Sequence, residues 1–159
     1  MIGYVLLVTF AIIMGAIVYN WMKTYVPKDK IECPEGASLF ITDVHCVDGT
    51  DNLSISLKNN GRFSLAGYFI RAANHSTQKI ATIDLSGYGR GIGGMIKFEG
   101  PENSFGPSEN ETRVFKLNSE VNVTSIEIIP IRYDSINNKK TLEVCNNIKI
   151  KENIICPVI

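Results

Sequence analysis

Cys33, Cys46, Cys145 and Cys156 are the residues of this chain best suited to covalent chemistry. They contain no CxxC pair, and His45 and His75 are the only imidazoles to join them, a poor set for a structural zinc site built from closely spaced ligands. An even number of thiols instead predicts two disulfides, with three connectivities open. Pairing of neighbours, Cys33 with Cys46 and Cys145 with Cys156, is the simplest. A bond between the first and last strands of a sandwich is the alternative. Asn52, Asn74, Asn110 and Asn122 each begin an Asn-x-Ser/Thr sequon without proline in the middle, so each offers an amide for glycosylation. Paired thiols and sequons together predict an exported domain. The same asparagines also suit turns.

Gly89 to Gly94 reads GRGIGG and satisfies the GxGxxG spacing of a dinucleotide site. That chemistry requires a strand before the glycines and a helix after them, whose N-terminus meets the phosphate. MIKFEG follows here and reads as a strand, so Gly87 to Gly94 is expected to be a flexible surface loop able to fold against a neighbouring subunit. His45 lies within a candidate strand and His75 in a sequon loop, neither at metal-ligand or triad spacing. GxSxG, HExxH and Walker sequences are absent, and no catalytic residue, cofactor or metal is expected. Lys and Arg number 16 against 16 Asp and Glu, which excludes the basic excess that nucleic-acid binding demands.

What must carry these residues divides into an apolar head and a polar body. Of the first 22 residues only Gly3, Thr9, Gly15 and Asn20 fall outside the apolar set, and none is charged. A helix of that length measures about 33 Å, enough for a hydrocarbon core of roughly 30 Å. Apolar side chains cover every face, so the head requires lipid or copies of itself for solvent. Trp21 and Tyr25 suit an interface, Lys23 is the first charge, and Pro27 sets the limit of the helix. Lys23, Lys28 and Lys30 favour a cytoplasmic C-terminal flank by the positive-inside rule, against the exported address of the cysteines and sequons. A short basic leader cleaved just ahead of the apolar run resolves that conflict. Ala11 and Gly15 form a small-xxx-small pair that permits close helix approach.

A polar linker follows, and then short alternating segments separated by Gly, Asn, Pro and Ser, the signature of an all-β sandwich. About eight strands are expected: Ser38 to Cys46, Leu53 to Lys58, Gly67 to Ala72, Ile80 to Leu85, Met95 to Phe98, Thr112 to Leu117, Val123 to Tyr133 and Leu142 to Ile150. Leu53, Ile55 and Leu57 alternate with Ser54, Ser56 and Lys58, giving one apolar and one wet face. Asn59, Asn60 and Gly61 supply positive-φ residues for a tight hairpin. Pro130 suggests an edge or a bulge. Phe63, Tyr68 and Phe69 flank the turn, as an exposed contact patch or, more often for such residues, as core. The expected organisation is α+β: a helix over 1–26, a linker over 27–32 and an immunoglobulin-like sandwich over 33–159.

The head GYVLLVTFAIIMGAIVYNWM followed by LSISLKNNGRFSLAGYFIRAAN resembles archaeal type IV pilins and archaellins. CPEGASLFITDVHC, GPSENETRVFKL and SIEIIPIRYD are similar to segments of pilin-like proteins of small-genome archaea. Bacterial relatives place a glutamate near the start of the mature helix where this chain has Val5, so the likeness is to the archaeal branch. The resemblance implies a precursor with a short leader removed by a prepilin peptidase, held in the membrane, then polymerised by an assembly ATPase and platform protein. It implies that helices bundle through residues such as Tyr4, Leu7, Phe10, Ala11, Met14, Gly15, Val18 and Trp21, inside a sheath of glycosylated β domains. The expected product is an extracellular homopolymer for adhesion or motility, able to meet a surface or host-cell ligand. The rival from a different class is a single-pass membrane-anchored adhesin or receptor with an immunoglobulin-like domain.

Overall fold

A computed structural model describes residues 2–25, 33–47, 50–75, 77–118, 122–136 and 139–154, without the side chains of 24, 25, 135, 136 and 139. The chain divides into two units, Met1–Ile31 and Glu32–Ile159. The first is one helix, α1 (Ile2–Tyr25), uninterrupted because it holds no proline and closes every internal backbone bond. The expected linker 27–32 lies outside the described residues.

Among the described residues the second unit holds nine antiparallel strands: β1 (Leu39–Cys46), β2 (Asn52–Asn59), β3 (Gly67–Ala73), β4 (Ile83–Asp84), β5 (Met95–Lys97), β6 (Asn110–Lys116), β7 (Ser125–Ile136), β8 (Lys139–Val144) and β9 (Ile150–Asn153). They form a three-stranded sheet in the order β1-β2-β6 and a six-stranded sheet in the order β4-β3-β7-β8. In the larger sheet β5 also pairs with β3, and β9 with β7. Leu53, Ile55, Leu57 and Phe115 from the first sheet share one buried core with Tyr68, Ile70, Ile96, Ile126 and Ile128 from the second. This is the period-2 pattern of each strand expressed as two facing layers. Phe98 stacks on Phe105 with centroids 4.2 Å apart, and Tyr68 tilts against Phe98 at 5.2 Å.

Several expectations change. Asn59 to Gly61 is no hairpin: β2 pairs with β1 and β6, and the chain crosses there to the other sheet. None of the three residues has positive φ. Gly61 is required because a Cβ there would lie 2.6 Å from the Ser38 nitrogen. Asn59 is wholly buried and its side chain fixes the crossing: Nδ2 donates to the carbonyls of Phe63 (2.9 Å) and Phe105 (2.8 Å), and Oδ1 accepts from Gly61 N–H (2.9 Å). The polar side of β2 is not fully wet, since Ser54 is buried. Ile80 to Leu85 shortens to the two residues of β4, and Leu142 to Ile150 splits into β8, a 3-10 turn at Asn146–Ile148 and β9.

Pro130 belongs to the central strand β7. It falls between the stretch of β7 that pairs with β9, ending at Ile128, and the stretch that pairs with β8, starting at Ile131. Its carbonyl accepts Cys145 N–H, and the outer chain there turns away, so no ladder donor is missed. Gly87 to Gly94 is a hydrogen-bonded pair of turns. Arg90 adopts φ 62, Gly91 N–H bonds Ser86 O, and Gly93 and Gly94, both at positive φ, turn the chain between Ile92 and Met95. The strand expected after the glycines is β5.

Candidate functional site

No side chain described between Ile2 and Lys23 is buried. Tyr4, Leu7, Phe10, Ala11, Met14, Gly15, Val18 and Trp21 all sit on α1, and spacings of three and four residues bring Tyr4, Leu7, Ala11, Met14, Val18 and Trp21 to one face. Other faces are equally apolar, with Ile2, Ile12, Ile13 and Ile17 exposed. Thr9 satisfies its hydroxyl within the helix by donating to the carbonyls of Val5 and Leu6 at 3.0 and 2.9 Å, which makes it compatible with an apolar solvent. Lys23 Nζ rests 5.0 Å from the Tyr19 ring centroid, a cation–π contact where the apolar stretch gives way to charge. A Cβ on Gly15 would touch nothing in its own chain.

The second unit starts from a covalent anchor. Cys33 and Cys145 form a disulfide across 112 residues, which overturns both neighbour pairings, Cys33 with Cys46 and Cys145 with Cys156. Cys46 is also disulfide-bonded; Cys156 lies outside the described residues. Sequence spacing favoured short loops, whereas the sheet order carries Cys145, just past β8, to the start of the domain. Ala37 and Ile148 pack around the bond, and Asn147 Nδ2 donates to Cys33 O at 3.1 Å.

Asn52, Asn74 and Asn122 gather at the end of the domain where β1 and β3 finish and β2 and β7 begin. Asn110 lies at the opposite end, where the chain enters from Cys33. Asn74, Asn110 and Asn122 are exposed, whereas Asn52 is half-buried and followed by buried Leu53 and Ser54. His45 Nδ1 pairs with Asp43 at 2.8 Å on the surface and His75 is exposed. Among the described residues no cluster of His, Cys, Asp or Glu is placed to hold a metal ion. Tyr68 is core, Phe69 half-buried and Phe63 exposed, so these three form no single patch.

Two arginines carry interactions that no motif announced. Arg113, on β6, donates to the carbonyls of Gly89 and Lys97 and pairs with Glu99 and Glu111, closing the side of the sandwich against β5. Beside it, Tyr68 has a buried hydroxyl without a hydrogen-bond partner among the described residues, and burial pushes its phenol well above the ordinary range, against the opposing pull of Arg113. Arg132 pairs with Asp134 at 3.0 Å and Glu143 at 2.9 Å while facing the Phe63 ring at 5.8 Å. Their signal was unreadable in one dimension, because each joins segments far apart in the chain. Comparison with family models, with curated proteins and with solved structures finds no match to this chain.

Proposed function

We propose that this chain is a structural subunit of an extracellular filament of the archaeal type IV pilin and archaellin kind, polymerised through α1, and not an enzyme. The observation that carries the reading is a 24-residue helix whose described side chains are all exposed in their own chain and uncharged before Lys23. Covering such a surface contributes tens of kcal/mol relative to water, at about 25 cal/mol per Å², so α1 requires lipid first and neighbouring copies afterwards. A prepilin peptidase, an assembly ATPase and a platform protein are the partners this route needs. An immunoglobulin-like relationship also belongs to the proposal: β1-β2-β6 facing β4-β3-β7-β8 corresponds to strands A-B-E facing C′-C-F-G. The disulfide departs from the B–F position of antibody domains.

The test is electron microscopy of fibres sheared from cells, with peptide mass spectrometry of the purified material. Fibres with this chain as major component are the expected result. Recovery only from detergent-extracted membrane, with no fibre containing it, overturns the reading in favour of the single-pass adhesin, which needs the same apolar helix but no copies.

A further inference from the structure

We propose that the Cys33–Cys145 disulfide is a load-bearing tether: tension arriving through α1 enters the sheet domain at Cys33 and crosses the bond into the six-stranded sheet, bypassing β1. This rests on the reading that α1 is held in lipid or among copies, since only a held helix transmits force.

The need for a bypass lies in β1. Cys33 precedes Leu39 by a short turn, so a pull on the chain ahead of Cys33 would otherwise fall on β1. Among the described residues that strand is an edge paired with β2, its register shifts between Ile41 and Asp43, and its disulfide-bonded residue, Cys46, lies at the far end from Cys33. Each of its ladder bonds contributes only about 0.5–1.5 kcal/mol net. Cys145 offers a firmer footing. It directly follows β8, its N–H bonds Pro130 O, and Pro130 sits in β7, a 12-residue strand paired with β3 on one side and with β8 and β9 on the other.

The surroundings keep the tether closed. Cys33 is 4% exposed and Cys145 0%, a burial that slows attack by external thiols in the folded domain. Asn147 holds the Cys33 carbonyl, and the turn between Cys33 and β1 is pinned by Ala37 N–H to Pro34 O and Arg62 N–H to Gly36 O. Because the bond spans 112 residues, it hides about 380 Å of extended chain from a pull beyond its two ends.

Single-molecule force spectroscopy on the full chain in detergent tests this, with one handle in segment 27–32 and the other in the exposed loop at Asn74. The wild type is expected to show no step before the main rupture. Cys33→Ser/Cys145→Ser is expected to show an early lengthening of about 20 Å at lower force, the roughly 45 Å of chain from Cys33 to Cys46 less the roughly 25 Å that β1 already spans when folded. Identical traces for the two proteins overturn the proposal. Should the double variant fail to fold, two variants that keep the bond decide: Leu142→Gly in β8 is expected to lower the wild-type rupture force, and Phe40→Gly in β1 to leave it unchanged. Any other ordering overturns the tether. The readings are independent of fibre formation, so a failed tether and a failed filament are told apart.

Discussion

Asn59 places an amide where the two sheets exchange the chain, buried and saturated by three partners. Asn59→Ala is expected to cost about 2–4 kcal/mol by chemical denaturation, because it takes the side-chain partner from the Phe63 carbonyl and the Gly61 N–H and leaves the Phe105 carbonyl with Leu65 N–H alone, whereas Asn60→Ala, at an exposed side chain, should stay within about 0.5 kcal/mol. Tyr68 presents the opposite case, a buried hydroxyl without a partner among the described residues. Tyr68→Phe is expected to be neutral or stabilising by about 1 kcal/mol at neutral pH. The phenol is held protonated in the folded chain but ionises near its ordinary value of 10.0 once unfolded. Fewer protons are then bound by the unfolded state, so stability falls as pH rises above that value, by up to about 1.4 kcal/mol per pH unit. The difference between wild type and Tyr68→Phe, followed by denaturation midpoints from neutral to strongly alkaline pH, isolates this slope. Sequence reading recognised Asn59 only as a turn former, since a buried amide and an exposed one are spelled alike.

Most elements were legible because their hydrophobic periods are strong: α1 from an unbroken apolar run, and β2, β3 and β7 from alternation or dense apolar content. What failed was partnership. Asn-Asn-Gly announces a change of direction without saying which sheet receives the next strand, and GRGIGG announces a loop without saying that it holds two close turns. Gly89→Ala is expected to cost about 1–3 kcal/mol, since its Cβ would run into the Phe115 ring. Thermal melts of the purified chain measure it. Gly15→Leu tests the helix in the other direction. A side chain there meets nothing in its own chain and improves helix propensity, so the melt should be unchanged while fibre yield collapses if neighbouring helices approach closely at that point.

At the scale of the molecule, the sequons are unequal. Glycopeptide mass spectrometry is expected to find Asn74, Asn110 and Asn122 occupied and Asn52 largely bare, because Leu53 and Ser54 are sealed into β2. Full occupancy at Asn52 would require modification before β2 forms. The candidate site was half legible: the helix was found from composition, whereas the anchor at Cys33 depended on sheet order, which spacing does not encode. That anchor also governs how the chain matures. Cys33 and Cys46 stand thirteen residues apart, and Cys33 and Cys145 stand 112 apart, so in the unfolded chain closing the short loop is favoured by about 2 kcal/mol of entropy. Oxidation of the unfolded chain is therefore expected to favour the Cys33–Cys46 bond first. Native pairing needs nearly the whole domain, up to Cys145, so in oxidative refolding followed by mass mapping of the disulfides, a thiol-exchange catalyst is expected to raise the yield of the Cys33–Cys145 bond more than added oxidant does.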